Sequence, residues 1–391
     1  MSYLRRAKNI LFTDLPILAK TEILRRFPGL WGILRLRPTS VWINPTDNCN
    51  MRCIMCTQWR ETKTGELTTA QWKDVLTQCR KLGIRSVGFN GGEPLLRKDL
   101  PEITAFASGL GMECSLITSG FLLDAVRLES LLSAGLRRLT LSLDGVGEDY
   151  ERIRGREWGR AEQAARLAAQ AHREGRLEAN IGFVAMRQTL ANFDKLQAFA
   201  AELDLPVMVS LVDSTPFFFR LPDNLRGQQQ GTWVGPEQNA QLRAFQQKLV
   251  QMKSRSPRSL ANAYTDIEYM GRYFSAPLQA EIPCSVAQLR ILVDSQGHVH
   301  GGCWSLGAYG SMLESSISEI LASPKALNAH RAMFYKRCPG CSCGYTTSVR
   351  YSLASQLREC LYRFSPSARS RIIAEPAQVP TPAVPVEAPL P

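Results

Sequence analysis

No run of apolar residues in this chain approaches the ~18 needed to cross a bilayer, so no segment is expected to span a membrane. A secretory signal is missing too. Arg5, Arg6 and Lys8 open the chain, but no small-residue cleavage site follows the apolar stretch, and a reducing, cytoplasmic setting is expected. Even cysteine spacing is also absent. The eleven cysteines stand at 49, 53, 56, 79, 114, 284, 303, 338, 341, 343 and 360, in tight groups that a disulfide framework would not produce and that suit metal ligands. Nor is there an aromatic-lined basic groove, which leaves little for a nucleic-acid role.

The 391 residues are 45% apolar, enough for one large α/β domain and a smaller one. Of the net charge of +12, half lies in residues 1–40, where eight basic side chains face only Asp14 and Glu22. These charges alternate with Leu11, Leu18, Ile23, Phe27, Trp31 and Ile33. The pattern fits a basic amphipathic extension over 1–38, either packed on the catalytic domain or resting peripherally on the inner face of a membrane.

From residue 39 short β-rich runs alternate with helical ones, the mark of a parallel sheet built from βα units. Strands are expected at 40–44, 86–90, 113–118, 139–144, 179–184 and 207–212. Helices are expected at 70–82, 100–110, 125–134, 160–174, 191–203 and 236–252, with Gly83, Gly111, Gly135 and Gly175 as stops. This gives an α/β fold over 39–256. A loop at 213–235 centres on Phe217, Phe218 and Phe219, and its length suits a substrate or lid contact, or packing onto the next domain. A helical connector at 257–283, a small cysteine-rich module at 284–350, a helix at 351–370 and a Pro-rich tail at 371–391 complete the order.

Cys49, Cys53 and Cys56 place three thiols within eight residues, directly after a strand. Three thiolates leave one iron of a four-iron cluster open, whereas zinc favours a closed tetrahedron; the spacing favours iron–sulfur without removing zinc. Gly91-Gly92-Glu93-Pro94 follows the second strand, where the glycines allow a close ligand approach and Glu93 offers a carboxylate to an ammonium group. With Thr118-Ser119-Gly120 and Ser142-Leu143-Asp144, these motifs all fall at C-terminal strand ends, where (β/α) barrels hold their ligands.

The CX3CX2C loop and the Gly91-Gly92-Glu93-Pro94 motif resemble the radical SAM superfamily, over roughly residues 39–350. The resemblance implies a partial (β/α)6 barrel, a [4Fe-4S] cluster on Cys49, Cys53 and Cys56, and S-adenosylmethionine at the open iron. It implies further that Glu93 binds the amino group, that Ser142, Asp144 and Arg154 contact ribose and carboxylate, and that Met55 stands where many members have an aromatic beside the adenine. Cys284, Cys303, Cys338, Cys341 and Cys343, with the hairpin ending at Cys303 and the helix start at Glu314–Ile320, resemble the C-terminal SPASM or twitch modules. Five cysteines fit one auxiliary [4Fe-4S] cluster, held by Cys284, Cys303, Cys338 and Cys341, with Cys343 as competitor and a zinc site as the alternative. Cys79, Cys114 and Cys360 read as core residues, and His298 and His300 as structural.

The activity implied is reductive cleavage of S-adenosylmethionine, followed by hydrogen abstraction from a substrate. Oxidative modification of a peptide or protein is the first expectation, with a carbohydrate, aminocyclitol or lipid-linked substrate as the alternative. An electron donor such as flavodoxin or ferredoxin is implied as partner. A scaffold with two structural zinc sites is the non-enzymatic reading.

Overall fold

Helix α1 (Leu15–Arg26) leads into six aliphatic strands that lie side by side in the order in which they occur. They are β1 (Ser40–Thr46), β2 (Ser86–Gly91), β3 (Glu113–Thr118), β4 (Leu136–Ser142), β5 (Glu178–Ala185) and β6 (Val207–Leu211). All neighbours run parallel, so each return passes through a helix. These helices are α2 (Thr69–Lys81), α3 (Leu100–Gly109), α4 (Ala125–Ser133), α5 (Glu148–Arg154), α6 (Trp158–Arg173) and α7 (Phe193–Leu203), with α8 (Asn239–Arg255) after β6. This computed structural model describes residues 15–34, 37–60, 64–212, 231–275, 284–304, 307–335 and 350–373.

Expected and observed bounds of these elements differ by at most three residues. The four stop glycines all take positive φ, from 70° to 97°, where a side chain would be strained. Helix α5 is the exception, absent from the periodicity because only seven residues separate Gly147 from Gly155. Packing explains the composition of α6, whose buried face is Ala161, Ala164, Ala165, Ala168, Ala169 and Ala171. Small side chains let this helix lie close to the sheet, against β5, in the core that also holds Leu141 and Phe183.

The C-terminal region continues the same sheet. Strand β7 (Arg290–Val293) pairs parallel with β1 and antiparallel with β8 (His298–Gly301), which pairs with β9 (Gly310–Ser311). The expected boundary at 284 is therefore no break in the hydrogen-bonded framework. Helix α9 (Tyr264–Ser275) precedes this hairpin, and α10 (Ile317–Ala322), α11 (Pro324–Phe334) and α12 (Leu353–Phe364) follow it. Helix α10 opens with a capping box between Ser316 and Glu319. Residues 213–230, with Phe217, Phe218 and Phe219, and the Pro-rich tail from 374 lie outside the described residues.

One expectation changes and one is narrowed. The N-terminal extension takes its packed alternative over Ile17, Leu24 and Trp31, which are buried with Leu289, Phe334 and Tyr351. Trp31 packs against Phe334 at 5.1 Å and Tyr335 at 5.8 Å between ring centroids, and the Tyr335 hydroxyl donates to Leu24 O at 3.0 Å. Cys79 and Cys114 are buried, but Cys360 is exposed, because α12 turns Ser355, Glu359 and Tyr362 inward instead. Among the described residues no helix is long and apolar enough to cross a membrane.

One buried carboxyl sets a pH dependence. Burial pushes Asp266 up to about 6, opposed by the Ala263 N–H that donates to it and reinforced by the Glu359 charge. Because this value lies above that of the unfolded chain, the folded state gains from the proton at low pH and loses that gain as pH rises through about 6. Asp266→Asn is expected to raise the melting temperature at pH 8, by up to about 3 kcal/mol of stability, and to change little at pH 4. Equal effects at both values, measured by thermal unfolding, would contradict this assignment.

Candidate active site

The cysteine loop leaves β1 at Thr46 and is clamped by its neighbours. On one side Gly92 N donates to Thr46 O at 3.0 Å and Glu93 N to Asn48 O at 2.9 Å. A Cβ on Gly92 would lie 2.1 Å from Asn48 O, and one on Gly91 2.4 Å from Thr46 O. The close approach these glycines permit is thus to the backbone that enters the cysteine loop. On the other side, Arg52 N and Ile54 N donate to Arg154 O and Ile153 O at 3.1 and 3.0 Å. These are carbonyls at the C-terminus of α5, which would otherwise want partners. Arg156 Nε adds a bond to Asn50 O at 2.7 Å. Gly155, with φ of 68°, ends α5 so tightly against Arg52 that a Cβ would sit 2.6 Å from the Arg52 Cβ.

Glu93 is 1% exposed. Its carboxylate accepts from Thr118 Oγ1 at 2.6 Å, from Ser119 N and Oγ at 2.9 and 2.5 Å, and from Leu95 N at 3.2 Å. It therefore ties the end of β2 to the end of β3. Asp144 lies past the end of β4 in a left-handed turn with φ of 63° and is fully buried. It accepts from Val184 N at 2.6 Å and pairs with Arg154 at 2.5 Å. Arg154 extends its other nitrogen to Cys53 Sγ at 3.6 Å. Asp144, Arg154 and Cys53 thus form one chain of charge, Ser142 lies partly buried at the end of β4, and Pro94 is buried behind Glu93.

Burial raises all three thiols, Cys49 to about 12 and Cys56 to about 11, while the Arg154 guanidinium opposes the rise at Cys53. Met51 N donates to Cys49 Sγ at 3.4 Å. Donors aimed at two of the sulfurs favour thiolates, as a cluster requires. Among the described residues no three His, Cys, Asp or Glu side chains are grouped closely enough to hold one metal ion. Three thiols from one loop suit a four-iron cube with one iron left open better than a closed zinc tetrahedron.

Sequence reasoning missed Asp47. It is buried, and it accepts from Asn44 Nδ2 at 2.8 Å, Gln58 Nε2 at 3.0 Å and Ser295 Oγ at 2.7 Å. Ser295 sits in the β7–β8 turn, and its carbonyl also takes Leu67 N at 2.7 Å. Asp47 therefore fastens the cysteine loop to the C-terminal hairpin. The only sequence signal was a carboxylate two residues before Cys49. In that hairpin region Cys303 and Cys284 pack with Met333. His298 pairs with Asp294 at 3.0 Å, and His300 is buried against Trp304. Cys338, Cys341 and Cys343 lie outside the described residues.

A CX3CX2C loop thus lies at the C-terminal edge of a parallel sheet, flanked by a Gly-Gly-Glu strand end, and the chain is similar there to known proteins. Residues 43–200 match the family model of the Radical SAM superfamily. Among curated proteins, the PqqA peptide cyclase of Gluconobacter oxydans is 38% identical over 169 residues, 42% of this chain and 47% of that protein. The chain thus spans about half the length of that relative. Among solved structures, native anSMEcpe with bound AdoMet aligns with a TM-score of 0.60 at 17% identity, covering 86% of this chain and 99% of that one. Streptococcus suis SuiB bound to precursor peptide SuiA aligns with a TM-score of 0.60 at 15% identity, over 85% and 76%. These two share the fold.

Two variants test the geometry. Gly92→Ala is expected to displace Asn48 and Cys49, so that iron bound after anaerobic reconstitution falls by roughly half with helix content unchanged; full iron loading would refute the clamp. Asp144→Ala strands the Arg154 charge in the interior and is expected to cost about 3–5 kcal/mol in thermal or denaturant unfolding, far more than an exposed pair would.

Proposed function

We propose that this chain is an enzyme that binds its [4Fe-4S] cluster through Cys49, Cys53 and Cys56, and modifies a peptide oxidatively. The supporting observation is the clamped loop after β1, which carries Cys49, Cys53 and Cys56. Cluster and S-adenosylmethionine together supply a 5′-deoxyadenosyl radical able to take hydrogen from an unactivated C–H bond. The chain's own residues position the reactants and exclude water. Glu93 faces the amino group by exchanging one of its hydroxyl donors for the ammonium. Ser142 and Asp144 serve the ribose and Arg154 the carboxylate, with Gly91, Gly92 and Pro94 shaping the wall. The buried surroundings of Cys53, Glu93 and Asp144 keep these contacts strong.

Residues 284–350 are assigned one auxiliary [4Fe-4S] cluster on Cys284, Cys303, Cys338 and Cys341, with Cys343 the competing ligand. Asp47 and Ser295 link that region to the first cluster's loop. A flavodoxin or ferredoxin is the proposed electron donor. The peptide reading is supported by the relative named a PqqA peptide cyclase.

Anaerobic, reduced protein incubated with S-adenosylmethionine is expected to form 5′-deoxyadenosine. Peptide addition is expected to raise that rate at least ~10-fold and to yield a peptide lighter by two hydrogens in the mass spectrum. A rise provoked by a carbohydrate or lipid-linked compound and by no peptide would overturn the substrate class. No 5′-deoxyadenosine under any condition would overturn the enzyme reading.

A further inference from the structure

Helix α12 is amphipathic in the wrong sense for a helix that merely packs. Its inward face carries Ser355, Glu359 and Tyr362, with Glu359 accepting from Thr265 N at 3.1 Å. The outward face presents Leu353, Leu357, Leu361 and Phe364, which are 50%, 63%, 50% and 85% exposed, together with Cys360. Spacings of three and four residues put these on one stripe. A second exposed apolar set, Leu15, Ile23, Phe27 and Ile33, lies on α1 and the turns after it, 39–80% exposed. The two sets are neighbours, since Leu353 N at the start of α12 donates to Glu22 Oε1 of α1 at 3.0 Å. Outside these two segments, large exposed apolar side chains are scattered singly through the described residues, at Ile54, Leu96, Val126 and Leu313.

Charge identifies the occupant. Residues 15–34 and 350–373 contain Lys20, Arg25, Arg26, Arg350, Arg358, Arg363, Arg369 and Arg371 against Glu22 and Glu359, and still carry an excess of basic charge after Arg25, Arg358 and Arg363 pair with Glu22, Glu268 and Glu359. Exposed leucines and phenylalanines set among arginines fit an anionic bilayer surface. A second copy of the chain would instead bring two strongly basic faces together. We infer that α12, with the exposed rim of α1, docks the protein peripherally on anionic lipid, the α12 stripe entering the headgroup region. The docking helix is thus mainly C-terminal, while the apolar face of the N-terminal extension is largely spent on internal packing. This inference is independent of the radical chemistry.

The test is flotation of the full-length, anaerobically loaded protein with vesicles of phosphatidylcholine alone, or with roughly a third phosphatidylglycerol. Wild type is expected to bind the anionic vesicles at least ~10-fold more tightly than the neutral ones, with binding weakened by salt. Leu357→Gln/Phe364→Gln, two exposed positions, is expected to lose ~10-fold or more at unchanged iron content. Arg25→Gln/Arg26→Gln is expected to lose ~10-fold on anionic vesicles only. Absence of wild-type binding overturns the inference, as does retention of full binding by the Leu357/Phe364 variant. A dimer in sedimentation that this variant dissolves, without vesicle binding, overturns it in favour of self-association.

Discussion

The buried pair of Arg154 and Asp144 is the constraint around which the site is arranged. Arg154 neutralises Asp144 at 2.5 Å, reaches Cys53 with its other nitrogen, and gives its carbonyl to Arg52. One residue thus fixes β4, α5 and the cysteine loop relative to each other. A charge in the interior is tolerated only when paired and hydrogen-bonded, and a cluster loop gains rigidity from that requirement. Glu93 plays the matching part on the other flank by joining β2 to β3 through Thr118 and Ser119. Together they hold the flanks of a loop that has little secondary structure of its own.

The same logic extends to the C-terminal region. Because β7 continues the sheet from β1, and Ser295 meets Asp47 beside the cysteine loop, the β7–β8 hairpin that leads to Cys303 is fastened to the strand and loop that carry the first cysteines. Tyr335 and Trp31 close the N-terminal helix onto that region. Helix α1 and the C-terminal hairpin therefore share one framework with the parallel sheet.

Much of this was legible in the sequence because it is periodic or clustered. Alternating aliphatic runs and stop glycines reveal the six βα units, and three closely spaced cysteines announce the site. What was not legible depends on tertiary contact. Gly91 and Gly92 read as a ligand cradle, and the atoms nearest their missing Cβ positions belong to Asn44, Thr46, Asp47 and Asn48. Asp144 and Arg154 read as ligand contacts, with no sign in the sequence that they also pair with each other, ten residues apart across the β4–α5 connection. Asp47 carried no signal beyond its place two residues before Cys49. Cys360 was misjudged because its helix has an apolar face, and an apolar face is ordinarily the buried one; here the polar face is buried.

The central claim is that Cys49, Cys53 and Cys56 hold a four-iron cluster distinct from the one assigned to the C-terminal cysteines. Iron and acid-labile sulfide in anaerobically reconstituted wild type should be about eight each per chain, falling to about four when all three cysteines are replaced by alanine. Unchanged iron in the triple variant, or zinc in place of iron in wild type, would contradict the account.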